Sequence, residues 1–218
     1  MTEISQGTLL VAEPFMKDPN FQRSVVLMCE HDRSGSFGIT INKLTKDVLG
    51  DYLPDFEHLQ HPVFDGGPVG KDHMHFLHQR ADLIEGGKEV AEGIFWGGDF
   101  KKALELVLHH QITQQEIRFY LGYAGWEEKQ LAGEMEEKSW LIIQATPSLL
   151  FAESAAEGAM SFVFAASIYT IGMTEDTPNP TSAKPIITVM GKVMDRDNVI
   201  PRSIKIPLVL STVECLKD

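Results

Sequence analysis

The sequence has few cysteines, no long hydrophobic run and no leader-like start, and each absence excludes a class of protein. Cys29 and Cys215 are its two cysteines among 218 residues, and this spacing favours free thiols in a reducing compartment over a disulfide framework. The longest apolar stretch, 162–173, is too short to cross a bilayer. The first residues place no basic segment before an apolar run, as a secretion signal would. We therefore expect a cytoplasmic protein without membrane contact.

Positive charge is also scarce, which argues against nucleic acid as a direct partner. The chain has 19 Lys and Arg residues against 31 Asp and Glu residues, a formal net charge of −12 at pH 7. Phosphate backbones are usually bound by clustered Lys and Arg, whereas the adjacent basic residues here are the single pair Lys101-Lys102. We expect no direct binding of DNA or RNA.

Residues 23–43 form the stretch around which we expect the fold to be organised. Two strand-like segments, 23–31 and 37–43, are joined by a Gly-containing turn, which is the pattern of a β-hairpin. In the second segment apolar residues alternate with small or polar ones, so one face is apolar and the other holds Thr40 and Asn42. We expect the apolar face to build the core and the polar face to contact a ligand.

The rest of the first 160 residues alternates strand-like and helix-like segments. Asp99 is a good N-cap for a helix whose apolar residues recur at helical spacing. Strands are expected at 117–124 and 140–145, with an acidic helix at 127–138 between them, and Gly86-Gly87 at a hairpin tip. Together with the antiparallel hairpin, this order predicts a mixed sheet.

The composition changes near residue 160. We expect one domain at 1–160 and a β-rich extension at 161–218, with a Pro/Thr-rich linker at 174–185 and strand-like runs around Val189 and Ile206.

Cys29-Glu30-His31 supplies the thiol, carboxylate and imidazole of a cysteine nucleophile with its base. In a regular strand Cys29 and His31 share a face. The alternative is a core cysteine followed by a histidine at the strand end, since Cys is among the most buried residues. A hydrolase using these three residues is our alternative function.

Two other groups of residues have a functional and a structural interpretation. His73, His75 and His78, with Asp72, are metal-ligand types, or they lie on a half-exposed strand. Gly66-Gly67 and Gly97-Gly98 offer backbone amides to an anion, or they serve tight turns and close packing.

Tyr123 and Trp126 belong to the segment 122–126, which links the strand at 117–124 to the acidic helix. They line a pocket, or Trp126 packs as a hydrophobic staple against that helix. The sequence contains neither a P-loop nor a Gly-x-Ser-x-Gly elbow.

Several of these segments, in order and spacing, resemble the YqgE/AlgH family of small bacterial proteins. They run from Gly7 to about Phe151 and include Asp18-Pro19-Asn20-Phe21, Arg23-Ser24-Val25-Val26, Cys29-Glu30-His31, Asn42-Lys43, Gly66-Gly67-Pro68-Val69 and Leu121-Gly122-Tyr123-Ala124-Gly125-Trp126. The resemblance implies an α+β fold with a bifurcated sheet curled into a pseudo-barrel and flanked by helices. It also implies a bacterial protein, and one branch of the family is labelled a transcriptional regulator. The chain departs from the family pattern after about residue 152.

We expect a non-enzymatic regulatory protein that needs no cofactor or metal and binds a small molecule or a protein partner. Arg23 is the expected anion partner and Trp126 the expected pocket wall. The candidate binding residues are Arg23, Ser24, Glu30, His31, Asn42, Gly66, Gly67, Tyr123 and Trp126.

Overall fold

The computed structural model describes residues 4–151 in full and the strands at 186–195 and 198–207 by their backbone. The chain divides into two compact units, one spanning Ile4–Phe164 and the other joining Met1–Glu3 to Ala165–Asp218. In the second unit, β11 (Ile186–Asp195) and β12 (Asn198–Pro207) form an antiparallel pair. This pair includes the strand-like runs predicted around Val189 and Ile206, whereas the start of the predicted extension at 161–173 and the linker predicted at 174–185 lie outside the described residues.

The first unit is built from strands with three α-helices among its described residues. Its strands are β1 (Thr8–Ala12), β2 (Val25–Asp32), β3 (Gly35–Thr40), β4 (Leu44–Val48), β5 (Pro62–Asp65), β6 (Val69–His78), β7 (Lys88–Ala91), β8 (Ile94–Trp96), β9 (Ile117–Glu127) and β10 (Trp140–Gln144). Its helices are α1 (Phe100–Leu108), α2 (Gln130–Glu136) and α3 (Pro147–Phe151). None of the helices in the described part of the chain is long and apolar enough to span a membrane.

All ten strands belong to one mixed, forked sheet. Its main path runs β10-β1-β2-β3-β9-β6-β8-β7, and β4 and β5 branch from it. β5 is parallel to β9, and the other described pairings are antiparallel. The predicted mixed sheet and the bifurcation are thereby confirmed.

The fork arises on β9, which two strands share along one edge. β3 pairs with the end of β9 at Ala124–Glu127, while β5 pairs with its earlier part, at Phe119–Leu121. Gly122 lies between these two parts with φ +75°, a left-handed conformation that glycine adopts at little cost. β6 pairs along the opposite edge of β9.

The sheet curls so that β7, at one end of its path, lies close to β2 and to the residues before β1. Gln6 Nε2 donates to Glu89 O at 2.7 Å, and Lys88 on β7 forms an ion pair with Glu30 on β2 at 2.7 Å. Inside the curl is an apolar cluster that includes Leu27, Ile39 and Leu77. α1 covers one outer surface with Ala103, Leu104 and Val107, and α2 covers another with Leu131. The result is the curled α+β fold with flanking helices.

The local predictions have mixed outcomes. The hairpin of β2 and β3 is present, and Asp99 caps α1 by accepting a hydrogen bond from Lys102 N at 3.0 Å. The predicted tip at Gly86-Gly87 is wrong, because β7 and β8 turn at residues 92–93 and both glycines precede β7. The expected open polar face of β3 is also wrong. Thr40 is 1% exposed, since both sides of β3 are packed against apolar clusters.

Asn42 joins the two ends of the hairpin after β3 has ended. Its side-chain Oδ1 accepts a hydrogen bond from Val25 N at 2.8 Å, and its Nδ2 donates to Arg23 O at 2.7 Å. One side chain therefore satisfies two backbone groups where the chain enters β2.

Replacing Asn42 by Ala should lower the free energy of unfolding by about 2 kcal/mol, because the part-buried Val25 N–H is left without its acceptor. Urea unfolding measures the loss when the wild type and the variant are fitted with the same dependence of the unfolding free energy on urea concentration. Asn20→Ala is the matched control, since the Asn20 side chain is exposed, and it should change stability by less than about 0.5 kcal/mol. Equal losses in the two variants would contradict a bridging role for Asn42.

Candidate ligand-binding groove

Two cavities lie beside β5, and both are lined by His61 and Gln114. The smaller, about 170 Å³, is also lined by Phe64, Gln115 and Arg118. The larger, about 400 Å³, extends to the end of α1 and the turn that follows it. We call the pair the His61 groove.

Parallel pairing of β5 with β9 places His61 in this groove. His61 directly precedes β5, and its backbone oxygen accepts a hydrogen bond from Leu49 N at 2.9 Å. Its ring packs edge-on against Phe119, with the ring centroids 5.3 Å apart. Its Nε2 lies 3.3 Å from Ile117 O. The imidazole is therefore held against the start of β9, and the His61 backbone is bonded to the turn at Leu49.

These contacts define the charge and tautomer of His61. Burial lowers the pKa of His61 to about 4, although the hydrogen bond to Ile117 acts in the opposite direction, so the ring is neutral near pH 7. A carbonyl oxygen only accepts, so Nε2 carries the proton and Nδ1 keeps its lone pair. The groove therefore contains an uncharged ring with one acceptor nitrogen.

Arg118 supplies positive charge at the smaller cavity. This side chain lies on β9, is only 7% exposed, and donates a hydrogen bond to Leu150 O. Its guanidinium carbon lies 5.2 Å from the Phe64 ring centroid and 5.8 Å from that of Phe151. Aromatic faces and a carbonyl thus stabilise a charge that burial alone would disfavour.

The lining of the groove suits a small organic ligand. Apolar residues such as Leu59, Val107 and Ile112 line the larger cavity beside the neutral polar residues Thr113 and Gln114. Among the described residues, neither lining includes a carboxylate. Apolar walls with a few polar groups are typical of ligand pockets.

The structure brings five of the sequence-predicted residues together elsewhere, at the start of the hairpin. These are Arg23, Ser24, Asn42, Gly66 and Gly67. Thr40 N donates to Gly66 O at 2.8 Å, and Ser24 Oγ donates to Asn20 O at 3.4 Å. A β-carbon on Gly67 would lie 2.1 Å from the Tyr123 backbone, so this glycine serves close packing. The polar groups in these contacts are satisfied within the protein.

Tyr123 and Trp126 are not brought together. The Tyr123 ring lies 4.9 Å from Phe37, at the margin of the inner cluster. Trp126 is buried in the cluster under α2, where its Nε1 donates to Glu134 Oε2 at 2.9 Å. This environment matches the alternative in which Trp126 packs against the helix that follows.

Cys29, Glu30 and His31 point in different directions, because a β-bulge interrupts β2 between Met28 and Glu30. The expected common face for Cys29 and His31 is therefore wrong. Cys29 is fully buried, and burial raises the pKa of its thiol far above the ordinary value. Glu30 pairs with Lys88, and His31 Nδ1 lies 2.7 Å from Ser36 Oγ.

The histidines of β6 also diverge. His73 pairs with Asp72 at the exposed beginning of the strand. His75 packs against Phe37, and the buried His78 lies with its Nε2 3.1 Å from Gly97 O. Within residues 4–151, no group of three or more His, Cys, Asp or Glu side chains is placed to hold a metal.

The sequence interpretation missed His61, Gln114 and Arg118. Arg118 had a visible signal, a charged residue inside the apolar run IRFYLGYA. His61 and Gln114 had none, because only the pairing of β5 with β9 brings them together.

The burial of Cys29 predicts a thiol that is inert in the native protein. In a Cys215→Ser background, Cys29 should react with iodoacetamide at pH 8 at least ~100-fold more slowly than Cys in a Ser34→Cys variant, because Ser34 is exposed in the turn. Mass spectrometry over time gives both rates. Comparable rates would show that the Cys29 thiol is accessible and reactive, as a catalytic nucleophile must be.

The neutral state of His61 predicts a loss of stability in acid. Its pKa is about 4 in the folded chain against the ordinary 6.5, so the unfolded chain binds the proton more tightly. The free energy of unfolding is therefore highest with respect to this group above pH 6.5. It falls by up to about 3 kcal/mol as the pH is lowered towards 4. Urea unfolding at pH 7 and pH 4.5 should show a smaller loss in His61→Gln than in the wild type.

Gln114→Ala is the control for this pH experiment, because it removes a side chain that does not titrate from the same lining. Its loss of stability between the two pH values should equal that of the wild type. If His61→Gln lost as much stability between pH 7 and pH 4.5 as the wild type, His61 would not be the group that is protonated on unfolding in this range.

Comparisons with known proteins agree with the architecture. A UPF0301 protein of Chlorobaculum tepidum is 41% identical over 150 residues, covering 69% of this chain and 80% of the relative. A UPF0301 protein of Bacteroides thetaiotaomicron is 38% identical over 139 residues, covering 63% of this chain and 70% of the relative.

Two solved structures share the fold. The solution structure of the AlgH protein from Pseudomonas aeruginosa matches with a TM-score of 0.60 and 26% identity, covering 82% of this chain and all of that one. A crystal structure of a Corynebacterium diphtheriae protein matches with a TM-score of 0.62 and 23% identity, covering 74% and 86%. The family model described as AlgH-like matches residues 9–163. The chain therefore belongs to the AlgH-like family, whose UPF0301 relatives have names that state no activity.

Proposed function

We propose that this chain is a non-catalytic regulatory protein of the bacterial cytoplasm that binds a small molecule in the His61 groove. The observation that carries the proposal is the pair of adjoining cavities that share His61 and Gln114. A fixed neutral imidazole, side-chain amides and one guanidinium face walls of core residues there. Such an arrangement orients a ligand by a few polar contacts and holds it by apolar burial.

Binding is favoured over hydrolysis by the state of the candidate nucleophile. Covalent catalysis needs an accessible thiolate next to a base. Cys29 is fully buried with a raised pKa, and the bulge in β2 separates it from His31. The hydrolase alternative therefore has no support from this geometry.

Regulation through a ligand or partner is favoured over direct DNA contact by charge. The net charge of −12 repels a phosphate backbone at long range. A regulatory role then depends on what the groove binds and on how binding changes stability.

A thermal-shift screen tests the proposal with nucleotides, amino acids, sugar phosphates, short carboxylic acids and divalent metals. A ligand at 100 times its Kd adds about 2.7 kcal/mol to the stability, which raises the Tm of a domain of this size by roughly 5–10 °C. We expect one organic class to produce such a shift. No shift from any class would contradict small-molecule binding.

Gln114→Trp and Gln111→Trp locate the site. Gln114 lines both cavities, whereas Gln111 is also exposed after α1 and lines neither. The Trp at 114 should fill the groove and abolish the shift, and the Trp at 111 should preserve it. A shift that survives in Gln114→Trp would place the ligand elsewhere.

A further inference from the structure

We infer that the larger cavity of the His61 groove binds an uncharged, mainly apolar group that carries a hydroxyl, and that this hydroxyl donates a hydrogen bond to His61 Nδ1. The group is a free alcohol or the hydroxyl-bearing part of a larger ligand. This inference rests on the proposed function and specifies its ligand class. It follows from an unused acceptor, from the charge of the lining and from its walls.

The unused acceptor is the Nδ1 atom of His61. Because Nε2 donates to Ile117 O, the neutral ring keeps a lone pair on Nδ1. Nδ1 has no hydrogen-bond partner within the part of the chain that the structure describes, and it is not sealed from solvent. Polar atoms of buried residues usually have a partner, and His61 is only 7% exposed. A donor on a bound ligand would replace solvent at this atom.

A second acceptor lies in the same lining, in the turn before β9. Thr113 Oγ1 donates its proton to Glu116 Oε2 at 2.9 Å, so this oxygen has only lone pairs left to offer a ligand. The Gln114 amide beside it both donates and accepts. A hydroxyl suits this set better than a carbonyl does, because a hydroxyl donates as well as accepts.

The described lining of the larger cavity has no permanent charge. It includes no Asp, Glu, Lys or Arg side chain among the residues that the structure describes, and His58 and His110, its other two histidines, are at exposed positions. An ion that leaves water without an opposite charge nearby loses much of its solvation free energy. The cavity should therefore prefer an uncharged ligand to an ion of the same shape.

The walls of the larger cavity favour an apolar body. Leu59, Val107 and Ile112 are buried residues that line it together with the half-buried Leu108. Its volume of about 400 Å³ corresponds to roughly 13 water molecules in the liquid. A single six-membered ring fits this space, and its burial against aliphatic side chains is favourable.

The test is an NMR titration of the ¹⁵N-labelled full chain at pH 7 with cyclohexanol, cyclohexanone, cyclohexylammonium and cyclohexanecarboxylate. The four probes share a six-membered ring, but the ketone lacks the donor and the last two carry a charge. We expect cyclohexanol to shift the amide signals of residues 112–114. It should bind about fivefold more tightly than cyclohexanone, which forfeits one neutral hydrogen bond, and at least about tenfold more tightly than either ion.

The His61 ring gives a direct readout of the hydrogen bond in the unmodified protein. Cyclohexanol should move the ¹⁵N signal of Nδ1 towards the value of a protonated nitrogen, because Nδ1 then accepts a hydrogen bond. Cyclohexanone should leave this signal unchanged. This measurement does not depend on the folding of any variant.

A matched pair of variants, His61→Phe and His58→Phe, locates the acceptor. Both histidines line the larger cavity. His61→Phe keeps a ring and removes the acceptor, so the preference for cyclohexanol over cyclohexanone should fall below about twofold. His58→Phe should keep the preference of the wild type. Each preference is a ratio measured in one protein, so a general change in stability affects both affinities alike.

Three outcomes overturn the inference alone. Equal affinities for cyclohexanol and cyclohexanone in the wild type would show that the groove does not select a donor. Tighter binding of either ion would show that charge governs the selection. A ligand from the thermal-shift screen whose effect Gln114→Trp abolishes, together with no response to cyclohexanol, would refute the hydroxyl and leave the proposed function intact. No binding of any probe and no shift in the screen would contradict the proposed function as well.

Discussion

The structure depends on the sharing of one strand edge at Gly122. One edge of β9 pairs first with β5 and then with β3. The partner strand changes where Gly66-Gly67 lies against the β9 backbone. Gly66 N donates to Leu121 O at 2.9 Å, and Gly66 O accepts from Thr40 N at 2.8 Å, so this residue connects the two branches. A β-carbon on Gly66 would lie 2.2 Å from Gly122 O. The fork therefore requires glycine at this crossing.

The candidate groove is a consequence of this fork. Because β5 runs parallel to β9, its beginning lies beside the beginning of β9, and His61 reaches Ile117 from 56 residues away. The turn after α1 leads into the same place and brings Gln114 and Gln115. The groove is thus formed where two chain segments enter neighbouring parallel strands.

The sequence predicted what local chemistry determines and missed what distant pairing determines. Asp99 as a helix cap and the β2–β3 hairpin were readable, because the signals lie within a few residues. The bulge at Cys29 was not, since the apolar run at 25–29 continues without a break in the sequence while the register shifts in the structure. The candidate site residues depend on distant pairing in the same way: Asn42 was expected to contact a ligand, and its side chain bonds backbone groups 17 and 19 residues earlier.

Arg118 joins the fold and the groove in a single side chain. It stacks between Phe64 and Phe151, donates to Leu150 O on α3, and lines the smaller cavity. Burying a guanidinium costs free energy that an aliphatic residue would not require, so its position on the central strand favours a role beyond packing. Replacing Arg118 would disturb the core and the cavity together. A role in binding is therefore tested by changing residues at the edge of the cavity. Gln114 lines both cavities from an exposed position, so under the proposed function its replacement should alter binding without removing a buried side chain.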